Sequence, residues 1–72
     1  MKKETILKIL SENIRMERFR KRYSQDKLSE MAGISQKYLS MIELGQVNPS
    51  ITVVINLCKA LGIGINELLN GI

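Results

Sequence analysis

Gln36, Lys37, Ser40 and Met41 have side chains suited to chemistry at a surface rather than in a core. On a helix turning about 100° per residue, they share one side with Leu44, while Leu39 and Ile42 point the other way with Tyr38 beside them. A glutamine amide donates and accepts at once and can pair bidentately with an adenine edge. A lysine ammonium donates to guanine O6 and N7, and an apolar Met41 suits a thymine methyl. Eight or nine helical residues rise roughly 12–14 Å, comparable to the major groove's width of about 12 Å. The same face would also serve an ordinary small helical domain in water, since Gln and Lys are common on any exposed helix.

Such a face has to be held at a fixed angle, and the flanking residues provide for that. Ser24 reads as the N-cap of a helix running through Ala32, and Ser35 as the cap of the next, through Leu44, stopped by Gly45. Between them stands Gly33, which costs about 1 kcal/mol against Ala inside a helix. It is well placed only if the chain must turn there with positive φ. Small Ser29 and Ala32 let the two helices cross closely. Leu28, Ala32, Ile34, Leu39 and Ile42 are placed to meet in one apolar wedge, the layout of a helix-turn-helix unit.

Three more helices complete the reading. The first spans about Thr5 to Lys21 on Ile6, Leu7, Leu10, Ile14 and Phe19, with Ser11 as an alternative cap of a shorter version. After the turn Asn48-Pro49-Ser50, a fourth runs from Ile51 to Leu61 and ends at Gly62. Its Val54, Leu57, Cys58 and Leu61 follow helical spacing. Asn66 opens a last short helix ending near Asn70-Gly71. The expected fold class is all-α: five short helices, no sheet, and a single domain over residues 1–72.

The totals bound the function. With 72 residues, the chain buries a marginal core, so self-association would help it. It has no His, no acid paired with a nucleophile, no glycine-rich phosphate loop and no metal-ligand cluster, so an enzyme is the weakest reading and no cofactor is expected. There is no apolar run long enough to span a membrane and no apolar segment followed by a cleavage site; with one cysteine, a cytoplasmic protein is the expectation. The formal charge of +4 is lopsided: residues 1–22 carry +5 and residues 23–72 carry −1. Basic clustering suggests a polyanionic partner, although an N-terminal basic run is often only a solvated face.

An ordered series of residues then resembles the Cro and phage-repressor (lambda repressor-like) family of helix-turn-helix DNA-binding proteins. It comprises Asn13-Ile14-Arg15 and Arg18, Ser24-Gln25 and Leu28, Ala32-Gly33-Ile34-Ser35, Leu39-Ser40, Ile42-Glu43 and Gly45. Asn48-Pro49-Ser50, Leu61-Gly62-Ile63 and Glu67-Leu68-Leu69 continue it, so the match covers about residues 11–70. The resemblance implies a transcriptional regulator, a repressor by expectation, that inserts the third helix into the major groove of double-stranded DNA. It implies base reading by Gln36, Lys37, Ser40 and Met41, and phosphate contacts from Gln25, Arg15, Ser35 and Asn48. Gln25 would also brace Gln36, the first residue of the recognition helix. Arg18 and Glu43 match an ion pair tying the first helix to the third. Relatives commonly dimerise through their last helices. Here Val53, Ile55, Ile63, Ile65, Leu68, Leu69 and Ile72 exceed what one small core needs, which implies a homodimer through helices 4 and 5 on a two-fold operator.

The sequence also departs from the family pattern. Arg22 stands where Gly is frequent before the second helix, and Leu44 where a polar phosphate contact is frequent. Gly64 replaces a Ser or Asp cap, and Cys58 a small Ala. Glu17 replaces an apolar residue, with Met16 or Phe19 expected to fill its space. Two alternatives to a stand-alone repressor remain. One is a controller protein of a restriction–modification operon; the other is an antitoxin that binds a toxin and represses its own operon. An antitoxin needs a segment for its toxin, and only residues 1–10 lie outside the fold, which favours the regulator. No small-molecule effector is evident, so control by concentration, at the nucleoid in a bacterium or phage-infected cell, is the expectation.

Overall fold

The computed structural model describes all 72 residues and consists of five helices: α1 (Lys3–Lys21), α2 (Gln25–Ala32), α3 (Gln36–Glu43), α4 (Ile51–Leu61) and α5 (Ile65–Leu68). Three of the starts are fixed by serine. The hydroxyls of Ser24, Ser35 and Ser50 accept hydrogen bonds from the backbone N–H of Lys27, Tyr38 and Val53 at 3.0, 3.0 and 3.2 Å. Each satisfies one of the orphan donors of a first turn.

The other two helices begin elsewhere than expected. α1 starts at Lys3, two residues before Thr5, and without any side-chain cap. Ser11 is not a cap but a buried interior residue whose hydroxyl donates to the Lys8 carbonyl at 2.8 Å. α5 starts at Ile65 rather than Asn66, because the Glu67 carboxylate accepts the Gly64 N–H at 3.1 Å and so closes the first turn from inside.

The turn between α2 and α3 does what its glycine suggested. Gly33 sits at φ 73°, ψ 30°, in the left-handed region, and the Ile34 N–H reaches back to the Ser29 carbonyl at 3.0 Å. That geometry ends the helix and redirects the chain within two residues. Ser29 and Ala32 are buried beside it, so no bulky side chain holds the helices apart.

One apolar cluster holds all five helices. Leu10 and Ile14 come from α1, Leu28 and Ala32 from α2, Leu39 and Ile42 from α3, and Leu68 from α5. From α4 come Val54, Leu57, Cys58 and Leu61. Full burial of each large side chain is worth about 1.5–3 kcal/mol. α5 is latched to α1 by the Asn13 amide, which donates to the carbonyls of Leu68 and Asn70, both at 2.8 Å. Two expectations fail on α1. Phe19 and Met16 are exposed, at 64% and 57%, so neither fills the space of an apolar residue at position 17. Glu17 itself is buried against α5, one oxygen 3.6 Å from Arg20 and the other with no partner. At about 100° per residue, positions 16 and 19 fall on the side of α1 opposite Leu10 and Ile14.

Candidate nucleic-acid interface

α3 is anchored by its inner face and free on its outer one. Leu39 and Ile42 are buried, whereas Gln36 and Lys37 are exposed and Ser40 and Met41 half-buried. None of the four outer side chains hydrogen-bonds to the rest of the protein. Leu44, next along the same side, is 63% exposed. The result is a continuous strip along α3 with two adaptable polar groups at its N-terminal end and apolar contact area toward its C-terminal end.

What fixes that strip in space is Glu43. Its carboxylate, only 2% exposed, accepts from Arg18 Nε at 2.8 Å and Arg18 Nη2 at 2.9 Å, a bidentate pair that joins α1 to α3. The third guanidinium nitrogen donates to the Tyr23 carbonyl at 3.0 Å in the α1–α2 turn. Gln25 Nε2, at the start of α2, donates to the same carboxylate at 3.1 Å. One acidic side chain thus gathers α1, the α1–α2 turn, α2 and α3. Burying two charges costs several kcal/mol each, and such a pair is sustained only where bidentate geometry and further hydrogen bonds satisfy both partners, as they do here. The ring of Phe19 lies 4.7 Å from the Arg18 guanidinium carbon and shields one face of it.

The residues singled out for phosphate contact have varied surroundings. The Arg15 guanidinium donates to the main-chain carbonyl of Glu43, one of the carbonyls left unpaired at a helix end. Gln25 is held by Glu43 and makes no hydrogen bond to Gln36, so the expected brace on the first residue of α3 is absent. Ser35 is exposed, with its hydroxyl used as the α3 cap. Asn48 is exposed just before the buried Pro49. Sequence reasoning did not find the bonds of Arg15 and Gln25 to Glu43; the available signal was that Glu43 is the only acid in α3.

Two grooves border the helices. One, of about 440 Å³, runs between the first half of α1 and the α3 C-terminus and is lined by Lys8, Ser11, Arg15, Leu44 and Gly45 among others. The second, of about 360 Å³, is polar and lies between α1 and α5, with Glu17, Arg20, Asn66, Glu67 and Asn70. No group of three or more His, Cys, Asp or Glu side chains could hold a metal ion. The one thiol, Cys58, is buried in the core, where burial first and the Glu67 carboxylate second push its pKa above the ordinary 9.0. No helix is long and apolar enough to cross a membrane.

On α4 and α5, Ile51, Ile55, Ile65 and Ile72 are exposed by 40–63%, and Val53, Ile63 and Leu69 are half-buried. Leu68, expected among the surplus apolar residues, is instead wholly inside the core, because the Asn13 latch draws α5 inward.

Comparison with known proteins agrees with this geometry. The family described as helix-turn-helix matches residues 14–68. The control protein C.SmaI of Serratia marcescens is 34% identical over 64 residues, covering 89% of this chain and 76% of that protein. The HTH-type transcriptional regulator SinR of Bacillus licheniformis is 36% identical over 63 residues, covering 86% of this chain and 57% of that protein. Among solved structures, the restriction-modification controller protein C.AhdI of Aeromonas hydrophila superposes with a TM-score of 0.84 at 32% identity, covering 86% of this chain and 94% of that one.

Proposed function

The chain belongs to the helix-turn-helix family, and from that premise we propose that it is a sequence-specific DNA-binding transcriptional regulator, acting as a repressor from the cytoplasm at the nucleoid. The observation that carries this reading is the pairing of a locked helix with a free face. α3 is clamped through Glu43, Leu39 and Ile42, while Gln36 and Lys37 project unpaired beside Ser40 and Met41. In this reading α3 enters the major groove and those four residues meet base edges. Gln25, Arg15, Ser35 and Asn48 line the phosphates, so Arg15 and Gln25 exchange or share their bonds to Glu43 with DNA. A homodimer through α4 and α5, covering Ile55 and Ile65, presents two copies of α3 to a two-fold operator.

The likeness to C.SmaI and C.AhdI favours, as a second reading, a controller of a restriction–modification operon. Both readings require operator DNA and differ in the genes beside it. Selection of bound fragments from a random duplex pool tests their common premise, with enrichment of a two-fold motif as the expected result. Binding to that motif should weaken with salt at a log–log slope of about −4 or steeper, as several phosphates per dimer release counterions. An unenriched pool, or a flat salt dependence, would refute DNA recognition.

A further inference from the structure

Four helices of this chain end in the same way. The residue after the last turn adopts the left-handed conformation, and the next N–H reaches back to a carbonyl five residues earlier. Three of these positions are glycine: Gly33 at φ 73° after α2, Gly45 at φ 72° after α3 and Gly62 at φ 68° after α4. The fourth is Arg22 after α1, at φ 60°, and it is the only non-glycine residue with positive φ in the molecule. A β-carbon in that conformation crowds the neighbouring carbonyl, a standing cost that glycine avoids.

The arginine side chain gains nothing inside the protein to offset this. It is exposed, and the only ion pairs are Arg18–Glu43 and Glu17–Arg20. Its position is nevertheless tightly held. Its own N–H donates to the Phe19 carbonyl at 2.9 Å. The next residue, Tyr23, receives Arg18, and Gln25, three residues on, binds Glu43 of α3. The α1–α2 turn is therefore rigidly registered to α3, with an unpaired cation at its apex.

We propose that Arg22 is a DNA-phosphate contact, and that this contact offsets a backbone strain relieved by glycine in the equivalent turns of α2, α3 and α4. This rests on the DNA-binding reading above. With α3 in the major groove, Arg22 meets the strand that Gln25 meets, one step further along. The contact is sequence-independent, so it lends affinity and salt sensitivity but no base preference.

The test uses the full chain and its selected duplex, with Arg22→Gly and Arg22→Lys. Arg22→Gly should melt about 4–8 °C higher, the shift expected for relief of one strained residue in a domain of this size. Its salt slope should be shallower by about 0.9 per protomer, so the wild-type advantage shrinks about 3.5-fold per protomer between 50 and 200 mM salt. Arg22→Lys should keep the wild-type slope and show no gain in Tm. An Arg22→Gly variant with an unchanged slope overturns the phosphate contact, and one without a gain in Tm overturns the offset of strain. Failure of the wild type to bind any duplex would overturn the DNA reading and this proposal together, whereas an unchanged slope in the variant overturns this proposal alone.

Discussion

Glu43→Ala removes the acid at the meeting point of three helices, and the size of its effect follows from the burial around it. The carboxylate is 2% exposed and the Arg18 side chain 10%, so the variant leaves a guanidinium almost without water and without its counter-charge. Breaking a buried pair from one side costs about 3–5 kcal/mol. Arg18 keeps its bond to the Tyr23 carbonyl, and Arg15 its bond to the Glu43 backbone, which places the loss near 3 kcal/mol. A domain of this length has about 4–11 kcal/mol in total, so the variant should melt roughly 12–24 °C lower, at 4–8 °C per kcal/mol. Because α1 and α3 then lose their fixed relation, affinity should fall alike for operator and scrambled duplex. The double variant Arg18→Met/Glu43→Leu removes both charges and should recover much of the lost stability, since an apolar pair of similar volume can replace an ion pair. The measurements are thermal unfolding by circular dichroism and binding by fluorescence anisotropy. A Glu43→Ala melt within about 3 °C of wild type, or a double variant as unstable as the two single losses added, would refute the reasoning.

Gln36→Ala and Lys37→Ala should each cost roughly 1–3 kcal/mol on the preferred duplex and little on a scrambled one, with Tm unchanged; an unaltered preference would remove both from base reading. Ile65→Glu, at a site 40% exposed on α5, should shift sedimentation toward monomer and weaken operator binding; a wild-type chain that stays monomeric at tens of micromolar, with and without DNA, would refute the dimer. For Cys58, the folded thiol titrates above 9.0, so the fold favours the protonated form. Its contribution to stability is then whole below about pH 9 and is lost as pH rises through the folded value. At pH 8 a disulfide reagent should label Cys58 only as fast as the domain opens, and equal rates in native and urea-unfolded protein would contradict its burial.

Elements with a local chemical signal were legible in the sequence. Ser24, Ser35 and Ser50 each precede a helix that they cap, and Gly33 stands where the backbone needs left-handed φ. Where the signal is not local, the reading slipped. The start of α1 has no capping side chain, and its first two turns are held by approach to the α3–α4 turn, with the Leu7 carbonyl and Ser11 hydroxyl close to Gly45. Phe19 is expected near the helical spacing of Leu10 and Ile14, yet its ring flanks Arg18 on the outside of the helix. Asn66 is expected to open the last helix, but Glu67, reaching back to Gly64, sets the start one residue earlier. At the site, the Arg18–Glu43 contact was implied by resemblance to relatives. The ties of Arg15 and Gln25 to Glu43 depend on helix crossing angles, which a one-dimensional pattern does not contain.

The separation between the two sides of α3 bears on how such a protein changes over evolutionary time. Leu39, Ile42 and Glu43 hold the helix, while Gln36, Lys37, Ser40 and Met41 form no hydrogen bond with the rest of the protein. Surface substitutions of that kind usually alter stability by less than about 0.5 kcal/mol. A duplicated copy of this gene could therefore drift to a new operator through single substitutions on the outer side without passing through an unfolded intermediate. Selection for a new target and selection for a stable fold act on different residues of one eight-residue helix.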